Sequence, residues 1–148
     1  MALIVDVLGA VLAYLKADAD VTAQVGTHVY GAELPGSVTL DGNGMPPKSV
    51  VVQPSAGGFG QYSRTWVPMA NERYDIRCYA PTPKAAMDVW RAVFPAMQLR
   101  LKKHVRGGVL LFDATSTIGV SLLREPDTRW PFAFGSFNVL AALEAVPA

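Results

Sequence analysis

The sequence has one cysteine, Cys78, and two histidines, His28 and His104, among 148 residues. A lone thiol cannot form an internal disulfide, so a disulfide-stapled secreted scaffold is excluded and a reducing environment is the default. His28 stands beside a predicted strand start and His104 in the basic run Lys102-Lys103-His104. Neither has a carboxylate or nucleophile at catalytic spacing, and no Cys/His pair has ligand spacing. The turn Asp41-Gly42-Asn43-Gly44 lacks the following glutamate of a calcium loop. Gly57, Gly58 and Gly60 are followed by no Lys-Ser or Lys-Thr, so they make no phosphate cradle. The expectation is a protein without catalytic activity, metal or cofactor. No run of 18 apolar residues escapes interruption, which predicts no membrane-spanning segment. The apolar amino terminus has no basic region and is broken by Asp6, which predicts no export signal. A net charge of +1 gives no global field for nucleic acid or an anionic membrane.

What is present is apolar. Hydrophobic residues make up 51% and charged residues 17%, enough apolar surface to offset chain entropy. The length predicts one domain over 1–148, since single domains occupy about 100 to 200 residues. The mean hydropathy of +0.24 suggests that other subunits cover part of the surface. Apolar residues at three- and four-residue steps predict a helix over residues 3–16. Asp18 or Asp20 caps a short turn over 21–25, and Gly26 stops it. Residues 27–30 turn into a strand, and 31–48, rich in glycine and proline, read as a long exposed connection. The run Ser-Val-Val-Val-Gln at 49–53 reads as a strand in the middle of a sheet. In 72–79, Tyr74, Ile76 and Cys78 alternate with Arg73, Asp75, Arg77 and Tyr79, which gives a strand with one core face and one polar face.

Thr82-Pro83 is a helix start, with a hydroxyl cap and a proline where its missing N–H is harmless. Ala86, Val89, Trp90, Val93 and Phe94 form the buried stripe of this second helix, which Pro95 must kink or restart near Leu99. Gly107-Gly108 ends the segment, and residues 109–114, 120–124 and 132–143 read as three further strands. Helices and strands in segregated runs predict an α+β domain: an antiparallel or mixed β-sheet with two main helices packed on one face. Trp90, Val93 and Phe94 should meet Leu8, Val11 and Leu15 over the Tyr74, Ile76 and Cys78 face.

Two segments attract attention as contact surfaces. Residues 61–106 carry nine basic and three acidic side chains, which makes the subunit dipolar; Arg73 and Arg77 are candidates for charged contacts. Between 56 and 69, three glycines alternate with Phe59, Tyr62 and Trp66, and a strand is predicted at Thr65-Trp66-Val67. That segment reads as a flexible aromatic loop which becomes ordered when it meets a partner.

The text Lys16-Ala17-Asp18-Ala19-Asp20 followed by Val25-Gly26-Thr27-His28-Val29-Tyr30 resembles the start of the tail completion, or tail terminator, proteins of long-tailed bacteriophages. Glu72-Arg73-Tyr74-Asp75-Ile76-Arg77-Cys78-Tyr79 before a proline-capped helix, and Trp130-Pro131-Phe132-Ala133-Phe134-Gly135-Ser136-Phe137 near the end, are similar to that family in order and spacing. The connection over 31–48 is longer than the family's loop. The resemblance covers nearly the whole chain. It implies a structural virion protein, made in the bacterial cytoplasm, that forms a ring, a hexamer in that family, at the head-proximal end of the tail. Such a ring ends tube polymerisation and joins the tail to the head. The partners implied are further copies of the chain, the tail tube protein and the head connector or stopper protein, with phage DNA passing through the ring without sequence-specific binding. Phe59, Tyr62, Arg64, Trp66, Arg73 and Arg77 are then the candidate subunit or tube contacts. The alternatives are a head-closure or connector ring protein, and a small ligand-binding or enzymatic α+β domain with a deep polar-lined pocket.

Overall fold

The computed structural model describes residues 6–55, 61–63 and 69–142, and it opens on a helix cap. The Asp6 carboxylate accepts a 2.9 Å hydrogen bond from the Gly9 N–H and opens helix α1 (Val7–Ala17). Val7, Ala10, Val11, Tyr14 and Leu15 are its buried stripe. Asp18 ends α1 and opens α2 (Ala19–Val25), its side chain accepting from the Asp20 and Val21 N–H groups. Gly26, at φ +59°, stops α2 in a conformation that favours glycine.

Among the described residues seven strands form one sheet: β1 (Val29–Gly31), β2 (Ser49–Pro54), β3 (Gln61–Ser63), β4 (Met69–Tyr79), β5 (Lys102–Arg106), β6 (Val109–Arg124) and β7 (Pro131–Ala142). Their order is β1-β2-β4-β7-β6-β5, with β3 also on β4. The β1–β2 pair is parallel and every other pair antiparallel, so the sheet is mixed. Together with the helices this is the α+β architecture expected from the segregated pattern. The run at 49–53 does lie inside the sheet, between β1 and β4. The alternation along β4 holds as far as Cys78: Tyr74, Ile76 and Cys78 are buried in the main core, while Arg73, Asp75 and Arg77 are half-buried on the other face; Tyr79, expected on the polar face, is instead buried there against Val51 and Phe132.

Helix α3 (Pro83–Pro95) starts where the sequence places it, with the Thr82 hydroxyl accepting from the Ala85 N–H. Trp90 lies on the sheet beside Phe94 and Phe137, with ring centroids 6.1 and 5.8 Å away. Val11, Leu15, Val93, Ile76 and Cys78 share this core, and Leu8 and Phe94 pack at its margin. Gly135 in β7 makes room for the indole: a Cβ there would lie 2.8 Å from Trp90 Cζ2 and 2.9 Å from Cζ3, and closer still to the ring end.

At Pro95, where a kink or restart is expected, the α-helix gives way to a π-helical turn (Ala96–Arg100), the proline lacking the N–H for the next α-helical bond. Two expectations need correction. Gly107-Gly108 does not end a helical segment. Both glycines have positive φ, 58° and 77°, and they form the two-residue turn of a β5–β6 hairpin. The predicted strands at 109–114 and 120–124 are one strand of 16 residues. Three register shifts interrupt its pairing with β7, and at each β6 has one residue more than its partner. Such bulges bend and twist a strand while breaking its alternation, which is why the sequence reads as two pieces. Residues 31–48 form the long, mostly exposed connection expected, and it is anchored. Asp41 accepts from the Asn43 and Met45 N–H groups at 2.9 Å each, Leu34 packs against a small cluster of Val51, Tyr79 and Phe132, and Trp130 Nε1 donates to the Gly44 carbonyl at 2.9 Å. The predicted strand at Thr65-Trp66-Val67 lies outside the described residues.

The Trp90–Gly135 contact yields a paired expectation. Trp90→Ala should lower stability by about 3 to 5 kcal/mol through loss of burial and the cavity left behind. Gly135→Ala, which adds one methyl, should lower it by about 1 to 3 kcal/mol because the ring cannot stay where it is. Urea denaturation followed by tryptophan fluorescence and circular dichroism measures both; an unchanged midpoint for Gly135→Ala would show that the indole has room to move.

Candidate subunit interface

The sheet face turned away from the helices carries alternate residues of β4, and there the candidate arginines are found. Arg77 is committed within its own chain. Its Nη1 lies 3.3 Å from Glu125 Oε1 and 3.4 Å from the Tyr79 hydroxyl, and its guanidinium carbon sits 5.4 Å from the Phe132 ring centroid. The Tyr79 hydroxyl donates to the same Glu125 oxygen at 2.5 Å. Glu125 belongs to the β6–β7 turn, so this triad ties the turn to β4. At about one-third exposure the ion pair alone contributes little; the packing and the tyrosine bond hold it. The aromatic floor of Tyr79, Phe132 and Trp130 is continuous, with ring centroids 5.3 and 6.3 Å from Tyr79.

Arg73 differs. It forms no ion pair and no side-chain hydrogen bond among the described residues, and its Nε is shielded from solvent without a partner. The Nε of Arg77 is likewise unpartnered. The carboxylate between them on the strand, Asp75, bonds the Ser136 hydroxyl at 2.5 Å instead. Arg73 therefore has its guanidinium fork free for an outside acceptor. Of the remaining sequence candidates, Phe59, Arg64 and Trp66 lie outside the described residues. Tyr62 lies in β3, its backbone opposite Ala70.

A feature the candidate residues did not include is the far half of β6. Ile118, Val120, Leu122 and Leu123 are 39%, 40%, 48% and 46% exposed. Residues 114–123 contain no charge, and beyond Asp113 the strand pairs, among the described residues, with β7 alone. A bare, uncharged, apolar strand edge invites pairing with another chain. The legible signal was the run Ile118-Gly119-Val120-Ser121-Leu122-Leu123 itself.

Elsewhere a cleft of about 350 Å³ lies between the α1–α2 junction and β5, lined by Tyr14, Asp18, Asp20, Arg100, His104 and Arg106. Its acids are taken up by one arginine: Arg100 binds both Asp18 oxygens and reaches Asp20 at 3.4 Å, which raises its already high pKa, while Arg106 donates to the Val105 carbonyl and lies 6.0 Å from the Tyr14 ring centroid. The Tyr14 hydroxyl is spent on the Ala96 carbonyl at 2.6 Å, and its burial raises its pKa. His104 places Nε2 3.1 Å from the Arg100 carbonyl, while His28 Nδ1 is 2.6 Å from the Tyr30 hydroxyl. Cys78 is fully buried, and that burial raises its thiol pKa strongly. Among the described residues no three His, Cys, Asp or Glu side chains are grouped to hold a metal, and no helix is long and apolar enough to cross a membrane.

Burial, and secondly the bond to Glu125, push Tyr79 up to about 12 from its usual 10. The folded protein thus keeps this proton to a higher pH than the unfolded chain does. Its contribution is complete below pH 10 and is lost as pH rises toward 12. Tyr79→Phe should cost about 1 kcal/mol at neutral pH, and the gap between wild type and variant should narrow between pH 10 and 12. Urea midpoints across that range check the sign; a gap that widens would contradict it.

No protein-family model and no curated protein matches the sequence. By fold, the chain is similar to a solved chain described as "Virion of native gene transfer agent (GTA) particle", with a TM-score of 0.67 and 20% identity. The likeness covers 90% of this chain and 92% of that one.

Proposed function

We propose that this chain is a structural protein of a phage-like virion, and more specifically the ring that caps the tail tube, ends its growth and presents the surface for joining the head. One observation carries the first part: the fold likeness to a chain of a gene transfer agent virion, which spans nearly the full length of both. The finer assignment rests on the resemblance of three sequence segments to tail terminators. The surface is consistent with it. A ring requires two different patches on each subunit that meet head to tail. The bare β6 edge and the uncommitted Arg73 are surfaces of the kind a partner covers.

In this reading the protein has no substrate; its work is done by contacts with copies of itself, with the tube protein below and with a connector protein above. The pairing of Arg100 with Asp18 and Asp20 in the α1–α2 cleft supports a structural role for that region, since those charges already meet within the chain. Arg73, rather than Arg77, is the charged contact, because Arg77 is occupied by Glu125.

Electron microscopy of particles made without this protein tests the assignment. Tube capping predicts full heads separated from tails, with tubes longer than normal. Full heads beside tubes of normal length would assign the protein to the head side of the joint and overturn capping. Charge reversal at Arg73 is expected to reduce head–tail joining by about tenfold or more if a desolvated contact is broken, with the melting temperature unchanged.

A further inference from the structure

The strand pairings lay the sheet out in two levels, each five strands wide. On the lower level one row runs Val29, Val50, Cys78, Ala133, Leu122, and the next Tyr30, Val51, Arg77, Phe134, Ser121. These rows cross β1, β2, β4, β7 and β6. On the upper level one row runs Gln61, Asn71, Leu140, Asp113, Lys102, and the next Tyr62, Ala70, Ala141, Leu111, His104. These cross β3, β4, β7, β6 and β5. The two levels are equal in width but offset by one strand. At one side of the sheet β1 projects below β3; at the other β5 projects above bare β6. The outline of one side is the complement of the other.

We infer that a second copy of this chain adds its β1 to the open part of β6, continuing the sheet across the subunit boundary. The inference rests on the ring reading above and names its subunit contact. A copy displaced by five strand positions, roughly 24 Å at the usual strand spacing, brings its β1 alongside 119–122 of β6 and its β3 alongside β5, with the step filled. The height matches without adjustment, because Val29 and Leu122 stand on one row and Tyr30 and Ser121 on the next. The polarity also matches: the pairings make β1 run opposite to β6, which gives an antiparallel junction.

Backbone chemistry agrees at both edges. In β1, His28 C=O and Ala32 N–H bond β2, so Val29 and Gly31 point away from it. Val29 N–H and Gly31 C=O turn onto Thr27 and Glu33, which leaves Val29 C=O and Gly31 N–H without a backbone partner among the described residues. In β6 the protein's own devices stop early. Gln98 accepts the Ser116 N–H at 2.7 Å, and the Ser116 hydroxyl donates to the Ile118 carbonyl at 3.2 Å. After that no described residue covers the edge. The neighbouring edge strand β5 carries exposed Lys102 and Lys103, a usual guard against strand addition, whereas residues 114–123 have no charge. Two different edges meet, so the contact is head to tail, and the bulges that bend β6 supply the rotation a closed ring requires.

The test is cysteine cross-linking of the full chain at high micromolar concentration, with light scattering and negative-stain microscopy to follow assembly. Buried Cys78 leaves a quiet background. Mild oxidation of Tyr30→Cys/Ser121→Cys should give a ladder of covalent species up to ring size, and neither single variant should. Independently, Val120→Lys should reduce the assembled fraction at least tenfold with its melting temperature unchanged. Rings that survive Val120→Lys and yield no ladder would overturn the β1–β6 contact while leaving the ring reading intact. Dimers cross-linked by Ser121→Cys alone would show a two-fold β6–β6 contact and overturn the head-to-tail arrangement. A wild-type chain that stays monomeric at every concentration and on purified tube ends would overturn the ring reading and this contact with it.

Discussion

The structure depends on how closely α3 approaches β7. Strand β7 is the spine of the sheet, paired with β4 over eleven residues on one side and with β6 on the other. A helix can settle on such a strand only at the distance its largest side chain permits. Here the largest, Trp90, is accommodated by deletion rather than by separation: Gly135 removes the Cβ beneath it. Phe137 and Phe94 then close around the indole. With α3 fixed in height, its continuation places Gln98 at the Ser116 amide and Ala96 at the Tyr14 hydroxyl. One side-chain fit thereby sets the position of α1, of the π-helical turn and of the point where β6 leaves shelter.

Elements with a local chemical signature could be read from the amino acids. Asp18 and Gly26 bound α2, Thr82-Pro83 opens α3, and the two-residue rhythm of β4 assigns its faces, because each of these depends on atoms within a few residues. Elements governed by partners far along the chain could not. The β5–β6 hairpin hides behind Lys102, Lys103 and His104, whose polarity suggests surface rather than strand. Strand β6 disguises its length because every bulge resets its phase. The anchoring of residues 31–48 depends on Trp130, some 86 positions away from Gly44.

The candidate surface was legible in a similar, partial way. Alternation on β4 put Arg73 and Arg77 on the face away from the helices, but it could not distinguish them, since the difference lies in Glu125. Phe59, Arg64 and Trp66 are outside the described residues, so the aromatic segment stays an expectation of the sequence. The apolar run of β6 does not show itself as an edge in the amino acids, because hydrophobic residues on a strand look the same whether they face a core or a bare edge. Exposure is a property of what the neighbouring strand fails to reach, and no local pattern records the end of β5.

The burial of Cys78 has a practical consequence. It sits on the central strand β4, under the helices, with no solvent contact and a thiol that is hard to ionise. A thiol reagent can reach it only when the helical layer lifts from the sheet. Its labelling rate is therefore a clock for core opening in the unaltered chain. Read in the chain alone and again with a bound partner, that clock would report how far a contact made at the surface steadies the core beneath it.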